Sequence, residues 1–396
     1  MSRNVRNAKG LAILLAAAIV AGFTASSAAQ PRPPIKVGVL LPLTGPLASL
    51  GIVAKAGMEV AFDEVGYQVA GRKITLVVED SEAKPDVGIT KARKLVEQDR
   101  IDLVLGPISS AVALAMRDYL ASKGTPWFLV FATAPPLTRE LKAPNLFRTS
   151  WSAEQPQFPA GEYTRQKLGY EKITVVGLDY VAGRAEVGAF LDGFKAAGGK
   201  VVQEIFIPLG TPDAAPFIAR IKPETVDAVV GAAIWGSDAV RFIKGLEEYG
   251  VKGRLPIIVT NAAVSGDSML PAIGRAALGI KSYGAYPYGL DTPENKRFIQ
   301  AFRKKTGKMT GNDAYAGYIC ARVALEGLKA VEGKVEETAR YLSAIRAVEF
   351  TGPAGPFKFD RNQNAVTTLY FQEVREAGGE VYNAVVDVIA RNASQR

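Results

Sequence analysis

The chain contains no histidine in its 396 residues. Without imidazole the commonest general base and metal ligand is gone, and no Ser–His or Cys–His nucleophile pair can be assembled. Cysteine is almost as scarce. Cys320 stands alone, so no intramolecular disulfide forms, and its place in an apolar stretch suits a core side chain better than a reactive thiol. No Gly-x-Gly spacing and no Gly-x-Ser-x-Gly occurs, and the nearest approach to a phosphate loop, Gly66 to Lys73, puts Arg72-Lys73 where Lys then Ser/Thr is needed. Hydrolase and nucleotide chemistry lose their usual parts. Asp and Glu are plentiful, but their spacing singles out no carboxylate pair of the glycosidase kind. The expectation is a protein with no catalytic residue, no metal site and no cofactor.

An apolar run long enough to cross a bilayer is missing too. Leu11 to Phe23 falls short of the roughly 20 residues a spanning helix needs. It follows a basic opening of Arg3, Arg6 and Lys9 and precedes the small residues Ser27-Ala28-Ala29, which is the layout of a secretory signal peptide over residues 1–29. An anchor helix is the competing reading, but Thr24 to Gln30 turns small and polar instead of continuing the run. Cys320 is far from the cleavage region, so no thiol is placed there for lipid attachment. The expected location is the periplasm. Without the leader the chain has 45 basic against 39 acidic residues, interspersed as on a solvated surface, with no basic run or aromatic clustering of the kind that binds nucleic acid.

Some 367 residues remain after the leader, more than one core usually supports, so two lobes are expected. Val-, Ile- and Leu-rich runs at 35–41, 74–79, 101–105 and 126–131 alternate with helical patterns at 51–65, 86–98 and 110–123. That is βαβ repetition, hence a parallel sheet covered on both faces. After Arg148-Thr149-Ser150-Trp151 the alternation restarts, with strands predicted at 172–177, 200–207, 226–231 and 255–259 and helices at 154–168, 184–197 and 237–249. Helical stretches at 294–306, 312–331 and 335–346 have no strong strand between them and are expected to cover the first sheet. The tail from Gly352 reads as turn and hairpin. The fold class is α/β, with two Rossmann-like doubly wound lobes: 35–150 with 286–351, and 151–285 with 352–390, joined by a three-crossover hinge.

Ligands of open α/β sheets sit outside the carboxyl ends of strands, where loops lead into helix N-termini rich in free N–H groups. Three such loops stand out in the first lobe: Thr44-Gly45-Pro46, Ser109-Ser110 and Ala132-Thr133. Ser109 or Ser110 can cap the following helix, and the same hydroxyl can hold a carboxylate against its positive end. Aromatic residues gather near these and the matching second-lobe loops: Phe131, Trp151, Tyr180 and Trp235, with Tyr283, Tyr286 and Tyr288 near a crossing. They suit either packing under loops or stacking on a flat apolar ligand.

The segments Leu41-Pro42-Leu43-Thr44-Gly45-Pro46, Gly51, Asp80-Ser81, Gly106-Pro107, Ala132-Thr133-Ala134-Pro135 and Phe147-Arg148-Thr149 occur in an order that resembles the branched-chain amino-acid binding proteins of ABC importers. The resemblance runs from about Ile35 into the tail. It implies a type I periplasmic binding-protein fold, a ligand in the cleft between the lobes, monomeric action, and delivery to an ABC permease in the cytoplasmic membrane. It assigns Ser109, Ser110 and Thr133 to a ligand carboxylate. Departures bear on the ligand. Ala182 stands where the family has a tyrosine, Leu50 where it has an aromatic, and Phe131 where a small residue is usual. The family's acid that neutralises a ligand ammonium aligns near Thr260-Asn261-Ala262, which has no carboxylate; Asp267 or Asp238 could fill the role instead. These changes favour an aromatic or apolar acid over leucine, with an amide binder or a periplasmic sensor as the alternatives.

Overall fold

Alternating burial on both faces makes Ile35–Leu41 the centre of the first sheet: β1 buries every residue except Lys36. In the computed structural model, which describes residues 32–394, β1 pairs in parallel with β3 (Arg72–Asp80) and β4 (Leu103–Leu105). The signal peptide expected over 1–29 lies outside the described residues. Beyond β4 the sheet continues in parallel through β5 (Trp127–Leu129) and β6 (Leu146–Arg148). A two-residue strand β2 (Gln68–Val69) closes the other edge as an antiparallel hairpin, giving the order β2-β3-β1-β4-β5-β6. Helices α1 (Ala48–Glu64), α2 (Pro85–Arg93, prolonged by a π-helical turn to Gln98) and α3 (Ser110–Lys123) make the crossovers.

The second sheet has the order β15-β14-β11-β10-β9-β7-β8. Its parallel part comprises β7 (Lys172–Asp179), β8 (Lys200–Pro208), β9 (Ala228–Ala233), β10 (Ile257–Thr260) and β11 (Lys281–Gly284). Around it run α4 (Glu154–Gln166), α5 (Val181–Ala196) and α6 (Gly236–Glu248). The tail adds the small hairpin β12 (Phe350–Gly352) and β13 (Gly355–Phe357), then β14 (Thr367–Ala377) and β15 (Glu380–Ala393), antiparallel at the edge. Two of the parallel strands escaped the apolar pattern. Leu146–Arg148 is only three residues long, and Lys281–Gly284 holds one large apolar side chain; both are set by the neighbours they pair with.

α7 (Pro293–Thr306) and α8 (Asn312–Ala330) return to pack on α1, and α9 (Thr338–Arg346) packs on α8. The α1–α8 contact is close because glycine faces backbone on both sides: a Cβ on Gly57 would lie 2.0 Å from the Ala314 carbonyl, and one on Gly317 would lie 1.9 Å from that of Ala54. The same contact holds the N-terminus of α8 over the cleft. Cys320, on α8, is fully buried, and burial pushes its thiol up to about 12, so it is a core side chain. Among the described residues no helix is long and apolar enough to cross a membrane.

Candidate ligand-binding cleft

The first-lobe wall of the cleft is a loop held from behind. After β5 the chain turns through Ala132, whose φ of +46° is the left-handed region that a residue with a Cβ seldom adopts. Several bonds impose it. The Ala132 N–H donates to the Ile108 carbonyl at 2.8 Å. The fully buried Arg148 guanidinium donates to the carbonyls of Ala132 and Ala134 at 3.2 and 2.6 Å, and to Thr138 Oγ1 and Asn364 Oδ1, each at 2.8 Å. Burial pulls the Arg148 pKa down to about 9, with Glu154 and Asp360 opposing the shift. The Phe147-Arg148-Thr149 signature of the sequence is thus the brace of the Phe131–Ala134 loop.

Between the lobes a cavity holds about 590 Å³ of space, counting the part open to solvent. Two aromatic pairs form much of its wall: Phe131 meets Trp151 edge to face with centroids 5.6 Å apart, and Tyr180 meets Trp235 the same way at 5.8 Å. Tyr180 and Trp235 are the residues just before α5 and α6, so the positive ends of two helices reach the cavity there. No lysine or arginine lines it among the described residues. The lobes touch at its rim, where a Cβ on Gly236 (φ +63°) would come within 2.8 Å of the Pro46 carbonyl.

One run of hydrogen bonds crosses the cleft. Thr133 Oγ1 of the first-lobe loop donates to Glu186 Oε1 of α5 at 2.8 Å. Gln157 Nε2 donates to Glu186 Oε2 at 3.0 Å and to the Ala232 carbonyl at 2.8 Å, while the Tyr283 hydroxyl donates to Gln157 Oε1 at 2.6 Å. Glu186 is 6% exposed. Burial pushes its pKa up to about 7 against the lowering effect of the two hydrogen bonds, so the carboxyl shares its proton with solvent near neutrality.

Of the residues expected from the sequence, Phe131, Ala132, Thr133, Trp151, Tyr180, Ala182, Trp235 and Asn261 all line this cavity, as does Leu50. Ser109 and Ser110 do not. The Ser109 hydroxyl caps α3 by accepting from the Val112 N–H at 3.4 Å, and Ser110 Oγ accepts from the Ala134 N–H at 3.1 Å, bracing the loop from behind the wall. Thr44 donates to Asp80 Oδ2 at 2.7 Å and ties its loop to the end of β3. Neither alternative acid reaches the cavity. Asp238 is taken by Arg241 and the Gly210 N–H, and Asp267 by Ser265 and the Ala314 N–H. Carboxylates come to the cavity from other positions than those the sequence offered: Glu186 and Asp313 both line it. Glu186 was missed because it lies within helix α5, three positions beyond the Asp179–Gly183 segment that carried the family pattern.

Two α/β lobes closed over a cavity with aromatic walls and a few converging polar groups define a protein that clamps a small molecule. The chain belongs to the periplasmic binding protein family, whose profile matches residues 34–380. It is 28% identical over 382 residues to a Leu/Ile/Val-binding protein homolog of Brucella melitensis, covering 95% of this chain and 97% of that one. Among solved structures it is similar to an ABC transporter substrate-binding protein from Sphaerobacter thermophilus, at 39% identity and a TM-score of 0.85, over 91% of this chain and 99% of that one. A solute-binding protein of an ABC transporter from R. palustris, in complex with benzoate, matches at 30% identity and a TM-score of 0.85, over 91% and 98% of the two chains.

Proposed function

We propose that this chain is the solute-capturing component of an ABC uptake system in the periplasm, and that its ligand is a small aromatic or other apolar carboxylate. Residues 35–150 with 286–351 form one jaw and 151–285 with 352–390 the other. Closure is favoured by the ligand because only the closed form lets both jaws contact it, and the closed form is what a membrane permease receives. The protein acts as a monomer and leaves its ligand chemically unchanged.

The observation that carries the ligand class is the composition of the cavity wall. Four aromatic rings supply flat apolar surface, while polarity is confined to Thr133, Gln157, Glu186, Thr260, Asn261, Tyr283 and Asp313. A ring buried between the two aromatic pairs gains area and edge contacts. Its carboxylate is held by N–H groups at the helix starts and by the Glu186 carboxyl in its protonated form, which Thr133 orients from the opposite lobe. The benzoate-bound relative supports the same class.

Glu186 itself supports a second reading, an α-amino acid whose ammonium it would neutralise. Burial weighs against it, since Glu186 is held toward its neutral form and already serves Thr133 and Gln157. A thermal-shift screen of aromatic acids, amino acids, amides and dicarboxylates separates the two. An aromatic acid present at about 100 times its dissociation constant should stabilise the protein by about 2.7 kcal/mol; a response confined to leucine, isoleucine and valine would give the second reading the site.

A further inference from the structure

Arg148, the last residue of β6, is wholly buried, and among the described residues no carboxylate pairs with it. Its hydrogen bonds all go to neutral acceptors: the carbonyls of Ala132 and Ala134, Thr138 Oγ1 and Asn364 Oδ1. Two acids act on it from a distance. Glu154 is paired with Arg139 at 2.9 Å, and Asp360 accepts from the N–H groups of Asn362 and Asn364 at 2.8 and 3.0 Å. Bracing a loop needs donors, which neutral side chains can supply, whereas a buried charge without a counter-charge is costly. The cavity lies on the far side of the loop that Arg148 holds. Arg148 Nε donates to the Ala132 carbonyl, and in a trans peptide the N–H points opposite to the C=O, so the Thr133 N–H is directed away from the guanidinium. Ala132 and Thr133 line the cavity, and the Thr133 N–H makes no hydrogen bond among the described residues.

We propose that Arg148 is the counter-charge of the bound ligand: a positioning residue behind the cavity wall that selects for a carboxylate across the Ala132–Thr133 peptide without touching it. This rests on the reading of the ligand as an aromatic or apolar carboxylate. It accounts for how a wall with two acids and no lysine or arginine among the described residues takes an anion. The carboxylate that meets Glu186 sits beside this peptide, because Thr133 Oγ1 is 2.8 Å from Glu186 Oε1. Buried charges are screened far less than charges on a surface, so the guanidinium acts through the thickness of the loop. Its donation to the Ala132 carbonyl also polarises the peptide, which presents a stronger N–H to the cavity. A neutral ligand of the same shape gains little from either effect. With a pKa pulled only to about 9, Arg148 keeps its charge at neutral pH.

The test leaves Arg148 in place and cancels its charge. Asn364→Asp keeps an oxygen acceptor on the guanidinium but turns the contact into an ion pair. Thr138→Val removes a neutral acceptor and leaves the charge alone. Calorimetric titration of the wild type and both variants with benzoate and cinnamate, each beside its neutral amide, gives the acid-to-amide affinity ratio, and thermal melts without ligand give stability. Asn364→Asp should lower the ratio about tenfold or more, with a Tm at or above that of the wild type. Thr138→Val should lower the Tm yet hold the ratio within about threefold. An unchanged ratio in Asn364→Asp, or an equal fall in Thr138→Val, overturns the counter-charge role while the aromatic-acid reading stands. So does a lower Tm in Asn364→Asp, since an acid there would then answer no unmet charge. Failure of both acids to bind the wild type overturns the aromatic-acid reading and the counter-charge role together.

Discussion

Thr133 and Glu186 meet across the cleft, the hydroxyl of the first-lobe loop donating at 2.8 Å to a carboxyl on the first helix turns of the opposite lobe. The bond joins the two lobes, and both partners line the cavity. Thr133→Ala removes a donor to a charged or half-charged group, so ligand binding should weaken by about 1.5–3 kcal/mol while the fold survives. Calorimetry showing unchanged affinity would make Thr133 a loop residue only.

The proton on Glu186 ties stability to pH. The ordinary carboxyl value is 4.5 and the folded value is about 7, so between these limits the native state binds more protons than the unfolded state. Stability from this group therefore falls as pH rises from about 4.5 to 7 and is level above that, a loss on the order of 3 kcal/mol. Tyr180 and Tyr283, which face it, stay protonated throughout that window because burial and the Glu186 charge raise them further. Glu186→Gln should flatten the fall in unfolding free energy between pH 5 and pH 8. Parallel curves for the two proteins would show that Glu186 does not titrate as the burial requires.

Two of the three tryptophans line the cavity. Trp127 is on β5 with its indole N–H on the Gly106 carbonyl, away from the cavity wall. Ligand should therefore change the intrinsic fluorescence, and the change should persist in Trp127→Phe but vanish when Trp151 and Trp235 are both replaced by Phe. Single Trp151→Ala or Trp235→Ala should weaken binding by about 1–3 kcal/mol, the scale of a lost aromatic wall. A signal that depends on Trp127 would place the ligand elsewhere.

Helix α8 reaches the cleft because glycine permits its approach to α1. Gly317→Ala drives a methyl group to 1.9 Å from the Ala54 carbonyl, which is backbone and cannot swing aside. Overpacking of this kind costs about 1–3 kcal/mol, and the shift should also reach Asp313 at the start of the same helix. Thermal melts should show the loss of stability. Wild-type stability in the variant would mean that the helices separate freely.

The two-lobed architecture was legible because buried parallel strands such as Ile35–Leu41 and Lys172–Asp179 are nearly continuous apolar runs, set apart by helical periodicity. Loops ending those strands led to most of the cavity wall, from Phe131 and Thr133 to Trp235. What stayed hidden lies on helices. Glu186, Gln157 and Asp313 resemble any polar residue of a solvated helix face until the fold buries them. Ser109 and Ser110 sit behind the wall, with their oxygens accepting from the backbone N–H groups of Val112 and Ala134, a placement that the capping pattern of the sequence does not distinguish from one on the cavity surface.

The central claim is that the cleft takes an aromatic or apolar carboxylate in preference to a branched-chain amino acid. Isothermal titration of one preparation with leucine and with a benzoate and cinnamate series measures that preference directly. The account predicts that at least one aromatic acid saturates a single site and binds more tightly than leucine. Micromolar or tighter leucine with no heat from any aromatic acid would contradict it.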